Sequence, residues 1–443
     1  MEANTVVVNQ GVSGSNKLVP PGIIGPFVLV TSLFALWGFA NDITNPLVAA
    51  FGRVMEISSS KAALVQFAFY GGYFTMALPA ALFIRKYNYK IAILIGLGLY
   101  AAGALMFFPA ASYGIFGFFL VSLYILTFGL AFLETTANPF ILSMGSIENA
   151  TRRLNLAQSF NPLGSITGML VAKEFILGRL HAGEDFSNLP EADKIVIRAH
   201  DLMVIRDPYV VLGLVVLVMF IIIAVYKMPN LKQAGAELSF KESINALFRN
   251  KRYIEGVIAQ VFYVAAQIMC WTFIIQYANN IGLSYETAQF YNMIAMSIFI
   301  VSRFVSTFLM KFISPGVMLL IFALGGALTS LGTIFIVGYT GLLCLVATSA
   351  FMSLMFPTIY GIALKGMGDE AKIGAAGLVM AIVGGALMPP LQGRILDIGG
   401  KGFSDVTILS VPEVNFSFIL PLICFIVIGI YGFRTIKENI NLV

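Results

Sequence analysis

The stretch LTFGLAFLETTANPFILSMG, residues 126–145, places a carboxylate inside a long apolar run. Four polar residues fall within five positions there, namely Glu134, Thr135, Thr136 and Asn138. A charged residue near the middle of a membrane span costs about 2.5–3.5 kcal/mol on insertion scales, so it normally faces a bundle interior or a water-filled cavity. Asn138 stands at i+4 from Glu134 and shares its helix face. The pattern favours a membrane helix with a functional acid, and the alternative is an acid that only packs helices together.

The composition of the whole chain is typical of a protein that crosses the membrane many times. Of its 443 residues, 58% are hydrophobic and 11% are charged, and the mean hydropathy is +0.89. Soluble domains are about half apolar and a quarter charged. The length accommodates about twelve helices of the ~20 apolar residues that cross a bilayer. The net charge of +5 is spread over short segments between apolar runs, which argues against a nucleic acid partner.

Twelve apolar runs, each bounded by charged or turn residues, predict twelve transmembrane helices. They cover roughly 23–50, 61–84, 91–109, 115–145, 154–178, 209–227, 253–281, 286–312, 316–338, 341–366, 373–396 and 416–433. A basic polar segment separates two groups of six runs. The predicted domains are therefore a cytoplasmic N-terminal tail (1–22), an N-terminal six-helix bundle (23–227), a cytoplasmic linker (228–252), a C-terminal six-helix bundle (253–433) and a cytoplasmic C-terminal tail (434–443).

The Lys, Arg, His and Cys residues give information on orientation in the membrane but do not indicate a catalytic or metal site. Lys and Arg are more numerous in the two tails and the even-numbered connections than in the odd-numbered ones, which predicts that both termini are cytoplasmic. The two histidines, His181 and His200, fall in a predicted external loop near 173–207, where we expect a solvated structural role. The three cysteines lie in predicted spans without ligand-like spacing. We therefore expect no disulfide and no metal site.

Helix one carries a second costly acid in LWGFANDITNPL, residues 36–47. Asn41, Asp42 and Asn45 interrupt the apolar run, and Asp42 and Asn45 share a helix face at i, i+3. Pro46 loosens the local backbone hydrogen bonding. The pattern predicts a site residue at Asp42, and the alternative is an aspartate near the helix end that reaches water.

Two further helices carry polar groups at helical spacing. In the fifth run Asn155, Gln158 and Asn161 stand at i, i+3 and i+6, which predicts a polar stripe. Such amides can also join neighbouring helices. In the eighth run Arg303 is expected to lie in the bundle interior, either in a structural pairing or in the site.

Helix seven places aromatic and amide groups together. It supplies Tyr263, Gln267 and Trp271, of which the last two are i, i+4 neighbours. Proteins hold sugars with an aromatic face against the ring C–H groups and paired donors and acceptors for the hydroxyls. The group is a candidate sugar contact, and the alternative is core packing.

The two halves of the chain show a weak internal repeat. LETTANPFILSMGSIENA, from residue 133, can be laid over LMFPTIYGIALKGMGDEA, from residue 354, so that proline-containing helices fall at the same ordinal positions. Two parallel six-helix repeats are the architecture of major facilitator transporters. The predicted fold is thus an all-α membrane protein with the major facilitator superfamily fold, about twelve transmembrane helices in two six-helix bundles.

Four segments closely resemble the fucose permease branch of that superfamily. They are QFAFYGGYFTMALPAALFIRKYNYK (66–90), GLAFLETTANPF (129–140), RLNLAQSFNPLG (153–164) and SAFMSLMFPTIYGIALKGMG (349–368). The resemblance runs over nearly the whole chain. It implies symport of L-fucose or a related hexose with protons, with Glu134 in sugar recognition coupled to protonation and Gln158 and Asn161 on sugar hydroxyls. A glutamate at this place favours fucose-type members, because glucose/galactose relatives tend to have an uncharged amide there.

Helix one departs from the family pattern. An ungapped overlay places Asn45 where the family has its proton-carrying aspartate, and Asp42 stands one turn before it. Either Asp42 serves the same cavity, or the coupling ion or stoichiometry differs. We therefore predict Asp42 and Glu134 as proton-coupling residues, and the predicted sugar contacts are Asn41, Asn45, Glu134, Asn138, Gln158, Asn161, Tyr263, Gln267 and Trp271.

The sequence thus predicts a monomeric hexose importer of the inner membrane, embedded in the lipid bilayer, with a midplane cavity between its halves. It would carry a sugar together with a proton by alternating access. No cofactor or metal is expected. The alternatives are a glucose/galactose-type transporter, sodium-coupled or uncoupled, and a membrane sugar sensor without flux. An enzyme is disfavoured, because the sequence offers no nucleophile–base pair, metal-ligand cluster or phosphate loop.

Overall fold

The computed structural model describes residues 17–44, 47–57, 59–62, 64–182, 186, 189–229, 240–368, 370–396, 398 and 406–440. The first ten α-helices are α1 (Ile24–Thr44), α2 (Leu47–Val54), α3 (Ser59–Ala62), α4 (Leu64–Lys86), α5 (Tyr89–Leu105), α6 (Phe107–Tyr113), α7 (Phe116–Ser143), α8 (Ala150–Gln158), α9 (Asn161–Val171) and α10 (Glu191–Val225). A 3-10 turn (Pro21–Ile23) precedes α1, and a π-helical turn (Ala172–Ile176) and a second 3-10 turn (Leu177–Arg179) follow α9.

The remaining helices follow the linker. They are α11 (Phe240–Arg249), α12 (Lys251–Asn280), α13 (Tyr285–Leu309), α14 (Pro315–Phe335), α15 (Tyr339–Met352), α16 (Met355–Leu364), α17 (Glu370–Met380), α18 (Gly384–Leu387), α19 (Pro389–Leu396), α20 (Glu413–Phe416) and α21 (Ile419–Ile440), with a 3-10 turn at Ala381–Val383. A two-stranded antiparallel hairpin, β1 (Thr407–Ile408) and β2 (Val411–Pro412), pairs Thr407 with Pro412 and Ile408 with Val411.

The contacts divide the chain into two compact units. Unit 1 contains Met1–Met144 and Phe160–Ala234, and unit 2 contains Gly145–Ser159 and Gly235–Val443. Helix α8 therefore belongs to unit 2, whereas the domains predicted from the sequence place its residues in the N-terminal bundle. The predicted domain boundaries stay a prediction.

The apolar helices agree with the predicted all-α membrane class. Within the described chain, eleven helical segments are long and apolar enough to cross a membrane. The fifth predicted run, 154–178, is interrupted between α8 and α9 and therefore contains no single helix of that length. Pro162 explains the break, because it has no backbone N–H and its ring excludes a helical bond to the carbonyl of Gln158. The predicted sixth run, 209–227, is the C-terminal part of α10, which begins at Glu191.

Two glycines bring α1 and α9 into backbone contact. A Cβ on Gly38 would lie 1.9 Å from the carbonyl oxygen of Asn161, and a Cβ on Gly164 would lie 1.8 Å from the carbonyl oxygen of Ala35. Small residues at a helix interface permit this approach in membrane proteins. The contact places Asn161 beside helix one, where its Nδ2 donates to the backbone oxygen of Phe34 at 3.2 Å.

An ion-pair network ties the segment after α2 to the first turns of α10. The Glu56 carboxylate accepts from Lys194 Nζ at 2.8 Å and from Arg198 Nη2 at 2.9 Å. The hydrogen bond from Lys194 and the charges of both cations lower the pKa of Glu56 below its ordinary value of 4.5. A lowered pKa in the folded state means that the stabilisation is present above the unfolded pKa and is lost as the pH falls through the folded pKa.

We expect Glu56→Gln to lower the melting temperature of the detergent-solubilised protein at neutral pH. The difference from wild type should shrink as the pH falls below about 4.5, because the wild-type carboxyl then also becomes neutral. Thermal unfolding followed by intrinsic fluorescence between pH 3.5 and 7.5 measures this. Glu174→Gln is the matched control, since the ion pair that Glu174 makes among the described residues is an exposed one with the adjacent Lys173, at 3.6 Å. Equal differences from wild type at both ends of the pH range would contradict the assignment.

Candidate functional site

Glu134 lies in the middle of α7 with its side chain half-buried, whereas the flanking Thr135 and Thr136 are fully buried. Across the part of the chain that the structure describes, its carboxylate makes no hydrogen bond or ion pair. Its charge acts on the hydroxyl of Tyr73 in α4. The acid is therefore accessible, and a bound proton or a polar ligand can reach it.

Asp42 lies in the last turn of α1 and is also half-buried. Its charge acts on the hydroxyl of Tyr70, which stands one helical turn before Tyr73. Two tyrosines of α4, at i and i+3, are thus within electrostatic range of the two acids. Sequence reasoning missed these two tyrosines, although the segment YGGY, which places them at i, i+3 in an apolar run, was a usable signal.

Of the two candidate asparagines near Asp42, the structure describes Asn41 but not Asn45. Asn41 is half-buried beside Asp42. Asn45 lies outside the described residues, so the proposed exchange of roles between Asp42 and Asn45 stays a prediction.

Asn138 and Asn161 occupy contrasting environments in unit 1. Asn138 is fully buried, and its Nδ2 donates to the backbone oxygen of Glu134 at 3.0 Å. Asn161 is half-buried at the start of α9 and is held by its bond to Phe34. Asn161 is thus the more accessible of the two amides for a ligand.

The predicted polar stripe of the fifth run is divided by the helix break. Asn155 and Gln158 are buried in unit 2 on α8, while Asn161 begins α9 in unit 1. The Asn155 amide donates to Thr151 O at 3.0 Å and to Thr358 Oγ1 at 3.1 Å. Asn155 therefore joins helices, which is the packing alternative that the sequence analysis left open.

Arg303 replaces hydrogen bonds that two prolines remove. Pro162 and Pro357 leave the carbonyls of Gln158 and Ser353, four residues earlier, without a helical donor. The buried Arg303 guanidinium donates to both: Nη1 to Gln158 O at 3.0 Å and Nε to Ser353 O. Both carbonyls lie at C-terminal helix ends, where a cation is favoured by the helix dipole. The structure gives Arg303 the structural pairing.

Two candidate residues of α12 lie near this arginine or near its aromatic neighbour Phe299. Tyr263 is fully buried and within electrostatic range of Arg303. The Phe299 ring lies 4.5 Å from the guanidinium and 5.0 Å from the half-buried Trp271 ring. Trp271 Nε1 donates to Ser349 Oγ at 3.2 Å, which fixes the indole.

Two glutamines complete the polar face of α12. Gln267 is half-buried. Gln260, two turns earlier, is fully buried, and neither atom of its amide has a partner among the described residues. Sequence reasoning missed Gln260, although an amide at i, i+7 from Gln267 in an apolar run was visible.

A cavity of about 630 Å³ opens in unit 1 between α1, α9 and α10. Its lining is mainly apolar and includes Leu36, Phe39, Leu163 and Val211. None of the predicted site residues that the structure describes lines it, so we regard it as a groove for apolar groups rather than as the polar site.

The helical architecture and the acids held within spans define a polytopic membrane transporter. The chain matches the model of the Major Facilitator Superfamily over residues 28–389. It belongs to this superfamily.

Three named transporters are similar to this chain over most of its length. The chain is 62% identical to the L-fucose-proton symporter of Haemophilus influenzae over 95% of this chain and 99% of that protein. It is 34% identical to the L-fucose-proton symporter of Escherichia coli over 92% of each. A glucose/galactose transporter of Brucella abortus is 31% identical, over 91% of this chain and 92% of that protein. These relatives are named as transporters, not enzymes.

Solved structures agree with the family. The crystal structure of FucP in the outward conformation matches with a TM-score of 0.84 and 33% identity, over 93% of this chain and 98% of that one. The proton:xylose symporter XylE matches with a TM-score of 0.66 at 13% identity, over 93% of this chain and 95% of that one, which shows the shared fold.

We expect Arg303→Lys to lower the free energy of unfolding by about 1–3 kcal/mol, because a lysine cannot reproduce the planar fork and leaves a buried carbonyl unpaired. Thermal or SDS-induced unfolding of the purified protein measures the change. Arg249→Lys, the same substitution at an exposed arginine of α11, is the matched control. If both variants unfold like wild type, the capping role assigned to Arg303 is wrong.

Proposed function

We propose that this protein imports L-fucose, or a closely related hexose, together with protons by alternating access. The similarity to two L-fucose-proton symporters supports this substrate and this coupling. The observation that carries the proposal is Glu134: a half-buried carboxylate in the middle of α7 without a partner among the described residues. A buried acid without a fixed counter-charge can take up and release a proton as its surroundings change.

The proton-coupling roles fall to Asp42 and Glu134, each within electrostatic range of a tyrosine of α4. Protonation neutralises a carboxylate in the span and lowers the cost of excluding water around it. A neutral carboxyl also gains an O–H donor for a sugar hydroxyl. Proton binding and sugar binding therefore favour one another at Glu134.

The half-buried residues are the proposed direct sugar contacts: Asn41, Glu134, Asn161, Gln267 and Trp271. Trp271 offers an indole face that its bond to Ser349 already orients, and the amides supply paired donors and acceptors. The more deeply buried Asn138, Gln158 and Tyr263 are proposed as contacts that need a rearrangement before a sugar reaches them. Asn45 is included from the sequence pattern alone.

The proposed setting is the inner membrane, with both termini in the cytoplasm and the monomer as the working unit. The excess of Lys and Arg in the tails and even-numbered connections supports this orientation.

A glucose/galactose substrate is the second candidate, because the Brucella abortus transporter is 31% identical. Counterflow of labelled L-fucose into proteoliposomes, with unlabelled hexoses as competitors, separates the candidates. We expect L-fucose to compete far better than D-glucose or D-galactose. Counterflow that D-glucose suppresses more strongly would favour the second candidate, and absence of counterflow with every sugar would indicate a sensor.

We expect Glu134→Gln to retain fold and expression but to lose concentrative uptake of L-fucose. The substitution removes the titratable proton and little volume, so exchange should suffer less than accumulation. Uptake and counterflow measured on the same proteoliposome preparation give the two quantities. Wild-type accumulation by the Gln variant at every pH tested would contradict the role of Glu134.

We expect Asp42→Asn to abolish the alkalinisation of a weakly buffered cell suspension on addition of L-fucose, while exchange stays measurable. If the acid has only moved by one turn, combining Asp42→Asn with Asn45→Asp should restore the alkalinisation, since both positions share a helix face. Alkalinisation that survives in the single variant would remove Asp42 from the coupling.

A further inference from the structure

The two histidines of the chain, 19 positions apart in sequence, lie against each other in unit 1. His181 follows the 3-10 turn Leu177–Arg179, and His200 stands in the N-terminal part of α10. Their ring centroids are 4.2 Å apart and their planes differ by 7°. This stacking goes beyond the solvated structural role that the sequence predicts for each histidine, and nothing in the transport proposal uses the pair.

Asp201 holds this pair in place. It is fully buried, and its carboxylate accepts the backbone N–H of His181 at 2.9 Å and that of Ala182 at 2.8 Å. The backbone that carries His181 is therefore anchored to the helix that carries His200. A buried carboxylate needs such donors to offset its lost hydration.

The same carboxylate orients the His200 ring. His200 Nδ1 lies 3.1 Å from Asp201 Oδ1, so Nδ1 carries the proton that it donates and the lone pair remains on Nε2. A carboxylate behind an imidazole, fixing its tautomer and its orientation, is the usual arrangement behind a metal-binding histidine.

We propose that His181 and His200 bind one divalent transition-metal ion of the Zn²⁺ type, with Asp201 as the orienting carboxylate behind them. The candidate ligand atoms of the three residues all lie within 4.8 Å of one another. Neutral imidazole nitrogen suits zinc, copper and nickel better than magnesium or calcium. Asp201 is not a direct ligand in this proposal, because it is fully buried and its oxygens already accept hydrogen bonds from backbone N–H groups.

The exposure of the two rings allows an ion to enter. The His200 side chain is 43% exposed and His181 is exposed. The lone pair of an imidazole nitrogen lies in the plane of its ring, so the lone pairs of two nearly parallel rings cannot point at one ion. For both nitrogens to lie about 2.0–2.1 Å from one zinc ion, His181 has to turn about its side-chain bonds. Water completes the coordination. The bound ion would clamp the segment at 181–182 to α10.

The test uses the full-length protein purified on a tag without histidine and stripped with a chelator. Equilibrium dialysis against Zn²⁺ should show one ion per chain, and thermal unfolding should show a higher melting temperature with Zn²⁺. His181→Asn and His200→Asn should each lower the affinity at least tenfold and remove the thermal shift. Binding should also weaken at acidic pH, because protons compete for the imidazole nitrogen.

The controls separate this site from other binding. Asp193→Asn removes an exposed carboxylate from the same part of α10 and should leave Zn²⁺ binding unchanged. The three cysteines lie in unit 2 and are buried or half-buried, so they do not compete with the histidines for Zn²⁺ at the surface. Counterflow of L-fucose without metal should be the same in both histidine variants, which confirms that they fold. One bound ion that survives in the double histidine variant, or that depends on only one histidine, would overturn the proposal.

Discussion

The cost of a carboxylate within a membrane span is the constraint on which the rest of this molecule depends. At about 2.5–3.5 kcal/mol per charge on insertion scales, two such acids are retained only where they are accessible and have polar neighbours. The structure provides both conditions for Glu134 and Asp42: each is half-buried, and each acts on a tyrosine of one face of α4. An acid in this setting is the part of a membrane transporter that can exchange its charge for a proton.

Broken helices are the second consequence of placing polar chemistry in the membrane. Within lipid every backbone group freed by a proline has to find another partner. Arg303 supplies that partner for the carbonyls of Gln158 and Ser353, and so turns two helix ends into fixed features of unit 2. The cost of burying the guanidinium is offset by these bonds and by the Phe299 face. Arg303, which from the sequence could have been a ligand-binding group, thus uses its hydrogen bonds on backbone carbonyls.

The sequence was informative where the signal is local. Apolar run length and the cost of charge were enough to predict most of the spans, the all-α membrane class and the positions of the half-buried acids Glu134 and Asp42. Pro162 marks the break in the fifth run, but a helical period drawn through it joined residues that the structure separates. The partners of Arg303 lie 145 and 50 positions away in the chain. Pairing over such distances, like the stacking of His181 on His200, depends on tertiary packing and leaves no periodic trace.

Coupling of sugar flux to a proton is the central claim, and the driving ion tests it most directly. Wild-type protein in proteoliposomes should concentrate labelled L-fucose when the pH is lower outside than inside, and a protonophore should abolish the accumulation. An imposed sodium gradient at equal pH should give only equilibration. Accumulation that follows the sodium gradient and ignores the pH gradient would contradict the account, because the carboxylates of unit 1 would then bind a metal cation rather than a proton.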